Sequence, residues 1–193
     1  AAARVVPQPS EIVREIIHMH RIYNNLWNKL YVRELFEDGL RLDESVHIGE
    51  DALLNLQLYL RAKNIVHISD YTYVYRVHSS SAMANMGLYS QAHQPMLQSM
   101  SAILLREGVK ELYFRDFLQS CVWVDEKETG IMACMKRFNA YIRPLVLDGV
   151  QEDRVPQWDL RIYRAVVKGY FPQIYILLRI REKLTGRKWG IRR

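Results

Sequence analysis

The chain has 193 residues, 49% hydrophobic and 25% charged, a balance ordinary for a globular protein and foreign to disordered, collagen-like or low-complexity chains. No run of about 20 apolar residues is present to span a membrane, and the length suits one domain, or one domain with a helical appendage. The net charge of +6 is unevenly placed: residues 168–193 hold eight basic side chains against Glu182 alone, leaving residues 1–167 at −1.

The chain opens AAARVVPQPSE, without an initiator Met and without a basic and apolar leader. We read it as part of a longer protein. Ser10 suits a helix N-cap, and Ile12, Val13, Ile16, Ile17, Met19 and Ile22 follow at helical spacing, predicting a helix over about 10–24. LWNKLYVRELF, followed by Gly39, reads as a strand entering a short helix. Ala52, Leu53, Leu56, Tyr59 and Leu60 predict a helix over about 50–62, with Glu50 and Asp51 in its dipole-favoured first turn. NIVHIS and YTYVYRV are short, β-branched and aromatic, and predict two strands. Beyond Ser90 the periodicity is helical throughout, with helices expected at 88–107, 110–126, 130–147 and 158–185. Gly108, Gly130, Gly149 and Pro156 punctuate them. Cys121 and Cys134 have no metal-ligand spacing and read as buried free thiols.

Three polar clusters stand out: Trp27-Asn28-Lys29-Leu30-Tyr31, Gly49-Glu50-Asp51, and Tyr73-Val74-Tyr75-Arg76-Val77-His78 before three serines. Singly, each has a bland reading as helix-end charge or strand packing. Their order and spacing across residues 26–83 resemble the family 2 glycosyltransferases. There a W-x-K-L-Y segment precedes an L-x-E-x-x-x-x-G-E-D turn, and a Y-x-Y-R-x-x-x-x-S strand end follows. The resemblance covers about a third of the chain.

What it implies is an α/β fold: the C-terminal portion of a GT-A, Rossmann-like nucleotide-diphospho-sugar transferase domain over residues 1–84. An all-helical region over 85–193 follows. It implies inverting transfer of a sugar from a nucleotide-sugar donor to a glycan or lipid-linked acceptor, in the making of surface polysaccharide. Asp51 would be the base that takes the acceptor hydroxyl proton, with Glu50 beside it. Trp27, Lys29 and Arg76 would bind substrate, Arg76 at the pyrophosphate. A divalent metal, Mg or Mn, belongs to the full enzyme, with His78 as this chain's candidate ligand. The family's first half is missing from the sequence: a strand ending P-x-Y/F-N, a D-x-S-x-D nucleotide loop and the D-x-D metal motif. The chain alone is therefore expected to be inactive, and the native protein to be longer.

The tail interleaves its cations with Tyr170, Phe171, Ile174, Tyr175, Leu177, Leu178, Ile180, Leu184, Trp189 and Ile191, a composition suited to an anionic membrane surface. A last helix packed on the body with solvated charges is the alternative. Together with the resemblance, this places the protein in the cytoplasm, peripheral on the inner membrane face. Nucleic acid is not expected, since no recognition motif is present. The alternative function is a non-catalytic helical module for dimerisation or partner binding, with Met96, Leu97, Met100, Ile103 and Leu104 as either its face or plain core. A hydrolase is excluded, because His78 and the serines lack a nucleophile elbow.

Overall fold

The computed structural model describes residues 4–5, 9–18, 24–68, 70, 72–74, 76 and 89–185. Two compact units divide the chain, Ala1–Met96 and Leu97–Arg193. The sequence suggests a division at 84/85; the units meet at 96/97, inside the helix Tyr89–Arg106.

In the first unit, α1 (Pro9–Ile17) begins on a proline, whose fixed φ and missing N–H suit a first helical turn. Ser10 lies within that turn. Ile12, Val13, Ile16 and Ile17 make one buried stripe, which packs on α2 (Glu50–Arg61) and its buried Ala52, Leu53, Leu54, Leu56 and Leu58. Removal of the Ile, Val and Leu side chains among these from water drives folding, at about 1.5–3 kcal/mol each when fully buried.

The strand expectations need correction. Among the described residues the sheet is one antiparallel pair, β1 (Arg4–Val5) against β2 (Val66–His67), with Arg4 opposite His67 and Val5 opposite Val66. LWNKLYVRELF runs through irregular backbone into a 3₁₀ helix, Arg33–Gly39. Residues 72–74 form no strand, and Tyr75, Val77 and His78 lie outside the described residues. β-branched and aromatic runs favour extended backbone, but a ladder needs a hydrogen-bonding neighbour, and a two-strand pair is marginal by itself. The described first unit is therefore mainly helical, and it does not display a Rossmann-like sheet.

The second unit is all helical, as the apolar spacing predicts. The chain continues from α3 (Tyr89–Arg106) through α4 (Phe114–Thr129) to α5 (Ile131–Arg137), a π-helical turn (Phe138–Ile142) and α6 (Arg143–Leu147). It closes with α7 (Leu160–Lys168) and α8 (Phe171–Thr185). The π turn has a local cause. Pro144 donates no backbone bond and its ring crowds the preceding turn, and the Arg143 N–H reaches back five residues to the Phe138 carbonyl. The wider turn keeps Phe138 and Ile142 buried.

Met96, Leu97, Met100, Ile103 and Leu104 are all buried. That stripe is core, and the partner-face reading of it is set aside. Cys121 and Cys134 are free and buried, and burial, with Asp125 nearby, pushes the Cys134 thiol up to about 12. No helix among the described residues is long and apolar enough to cross a membrane.

Candidate functional site

The first unit gathers its polar side chains where α2 begins. Gly49, the N-cap of α2, sits at φ +86°, a left-handed conformation that costs other residues energy. A Cβ there would meet Met96 Sδ at 2.2 Å and Cγ at 2.8 Å. Both constraints select glycine. Gly49→Ala is expected to lose about 1–3 kcal/mol of stability, read as a lowered Tm. Met96 is buried and Met96→Ala has a cavity cost of its own, so the steric part is read as the coupling between the two substitutions in a double-mutant cycle.

Gly49 puts Glu50 and Asp51 in the first turn of α2. Asp51, Asn55 and Tyr59 follow one another at four-residue spacing, a polar line along one face of the helix. Asn55 is fully buried, at 0% exposure. Its Nδ2 donates to the Asn24 and Asn25 carbonyls at 2.8 and 3.1 Å, and its Oδ1 accepts from the Tyr31 hydroxyl at 2.6 Å. One amide side chain therefore pins both ends of the segment that carries Trp27 and Lys29. Such an interior amide is stable only because its donors and acceptor are satisfied.

Asp51 accepts a hydrogen bond from the Leu26 N–H, and Lys29 lies close enough to interact with it. Burial raises the Asp51 carboxyl above the ordinary carboxylate range, and the Leu26 N–H and Lys29 offset part of that rise. Burial lowers the Lys29 ammonium, partly countered by Asp51, and Lys29 Nζ donates to the Asn25 carbonyl. Burial, with Tyr59 and Asp51 nearby, also raises the Tyr31 phenol, which stays a donor.

Trp27 stacks on Tyr73, with ring centroids 4.7 Å apart and planes 19° from parallel. Beside this pair opens a cleft of about 650 Å³, lined by Lys29, Tyr31, Tyr59, Asn64 and Tyr73 among others. Arg61, in the last turn of α2, donates to the Leu35 and Glu37 carbonyls and so holds the 3₁₀ helix to α2.

Of the residues picked from sequence, Lys29 lines the cleft, while Asp51 beside Lys29 and Trp27 on Tyr73 stand outside its lining. Glu50 is half-buried next to Asp51, and Arg76 is exposed and outside the cleft lining. His78 lies outside the described residues. Among the described residues no three His, Cys, Asp or Glu side chains gather into a donor set for a metal ion. Asn55, Tyr59 and Tyr73 were not singled out from sequence as site residues. An asparagine inside ALLNLQLYL, four residues from Asp51 and so on the same helix face, was the available signal. Family models, curated proteins and solved structures provide no match to the chain.

Proposed function

We propose that the chain is the acceptor-side part of a glycosyltransferase that moves a sugar from a nucleotide-sugar donor to a glycan or lipid-linked acceptor, with Asp51 as the base. What supports the reading is a convergence. Motifs about 20 residues apart in the sequence put Asp51 beside Lys29, and Trp27 on Tyr73, and it is Lys29 and Tyr73 that line the cleft. A carboxylate held above its ordinary pKa is suited to take a hydroxyl proton as oxygen attacks the anomeric carbon. Stacked aromatic rings offer the flat apolar surface that sugar C–H faces pack against. Lys29, cationic and half-buried, would face the acceptor side. The nucleotide and its metal would be held by a part of the protein other than residues 1–193.

The test is turnover of nucleotide-sugars by two polypeptides. Residues 1–193 alone are expected to release no nucleoside diphosphate. The native polypeptide, expected to exceed 22.8 kDa by roughly 100 residues or more as a domain-sized addition, is expected to release it in the presence of acceptor. Donor turnover by the 193-residue chain itself would sink the division of labour. A native mass near 22.8 kDa would move the reading to a non-catalytic binding module.

A further inference from the structure

The basic tail looked uniform in sequence, but α8 divides it into two faces with different commitments. Phe171, Ile174 and Leu178 are buried in the second unit. Arg179 bonds both carboxylate oxygens of Glu126 at 3.0 Å and reaches Glu182 at 2.8 Å, and Arg181 lies 3.6 Å from Asp116. The Tyr175 hydroxyl donates to Glu126 as well, at 2.8 Å. Two of the tail's eight cations, and three of its apolar side chains, thus hold the bundle together and are not available to a partner.

The other face is built differently. Ile176, Ile180 and Leu184 are 57%, 49% and 81% exposed, and their four-residue spacing lines them up along α8. Lys183, also exposed, borders that line. The sequence then runs on through Arg187, Lys188, Arg192 and Arg193 with Trp189 among them and no acid. Three outward aliphatic side chains are costly to leave in water.

We infer that this outer face of α8 docks on an anionic bilayer surface, lying in the plane of the headgroups. Charge complementarity argues for this occupant: from Lys183 to Arg193 there are five cations and no anion. The combination also argues for it. A nucleic acid would use the cations and leave the aliphatic line in water, whereas an interface of acidic headgroups over acyl chains takes both. The inference rests on α8 and on the basic residues that follow it in the sequence, and holds whether or not the cleft transfers sugar.

The experiment is co-sedimentation of the full chain with phosphatidylcholine vesicles, with and without phosphatidylglycerol. Wild type is expected to pellet with the acidic vesicles, to be released as salt screens the charges, and to stay in solution with the neutral ones. Ile180→Glu/Leu184→Glu is expected to weaken binding by about tenfold or more with unchanged circular dichroism and Tm, because both side chains are exposed. A chain ending at Thr185 keeps the aliphatic line and is expected to lose most of the acidic-vesicle preference. Equal pelleting of wild type and the double variant overturns the inference, as does equal pelleting with neutral vesicles. A discrete dimer by light scattering that the double variant dissociates would instead assign the face to a second copy. Equally tight, salt-sensitive binding of a duplex oligonucleotide by wild type and the double variant would assign the tail to nucleic acid.

Discussion

Asp51→Asn, in the polypeptide that turns over nucleotide-sugar, is expected to lower kcat by about 10²–10⁴-fold while leaving donor affinity nearly unchanged. The amide keeps the volume and the oxygen that accepts the Leu26 N–H, but it cannot take a proton. The direction of the Asp51 shift adds a second readout. Burial raises the carboxyl, so the acid limb of the wild-type rate profile should lie above the ordinary carboxylate range, and the residual activity of the variant should lack that limb. Stability should respond oppositely. An acid whose native pKa is raised favours the fold in its protonated form. Its contribution is fully present below the ordinary carboxylate value and is lost as pH rises through the native one. At neutral pH Asp51→Asn should therefore be no less stable than wild type by urea unfolding, and its advantage should shrink on acidification. A variant slower by orders of magnitude yet equally folded is the signature of a residue kept for chemistry. Near-wild-type turnover would remove Asp51 from the role of base.

The helices were legible because a helix carries its own hydrogen bonds, so an apolar stripe at the right period is nearly sufficient evidence for it. Ile12, Val13, Ile16 and Ile17 announce α1, and the expected helix over 130–147 differs from the observed one only by the π turn that Pro144 provokes. The strands were not legible, because strand formation depends on what lies alongside. NIVHIS has the composition of a strand and contributes two residues to a ladder, Val66 and His67, since β1 is their neighbour. The site was half legible. Trp27, Lys29 and Asp51 were visible as types at a familiar spacing, whereas Asn55 matters through three contacts to residues 24–31 positions away. The tail misled in a similar way. Arg179 and Arg181 count as free charge until Glu126 and Asp116, more than 50 residues earlier, are placed against them.

Lys110→Ala is expected to cost the second unit about 3–5 kcal/mol, the largest stability loss we foresee. Lys110 is fully buried, at 0% exposure. Its Nζ donates to the Leu145 carbonyl at 3.0 Å and the Asp148 carbonyl at 2.6 Å, at the C-terminal end of α6, where a cation meets the negative end of the helix dipole. The ammonium also lies 5.9 Å from the Phe117 ring centroid. Its neighbour Glu111 accepts from the Gln151 N–H at 3.2 Å, so the turn before α4 grips both sides of the chain reversal after α6. Alanine removes the donor and opens a cavity. Methionine fills most of the space and leaves the Leu145 carbonyl its bond from the Ser101 hydroxyl, so Lys110→Met should lose only about 1–3 kcal/mol, chiefly for the Asp148 carbonyl. Burial lowers the Lys110 ammonium below its ordinary value, with Asp148 opposing. The native state thus releases this proton before the unfolded chain does, and wild-type stability should gain on Lys110→Met as pH rises from the lowered value toward the ordinary one near 10.4. Urea unfolding of the three proteins at neutral pH and near pH 10 reads both effects. Equal losses for alanine and methionine would place the energy in the hydrogen bonds alone, and no loss in either would mean that the clamp does not hold the α6 terminus.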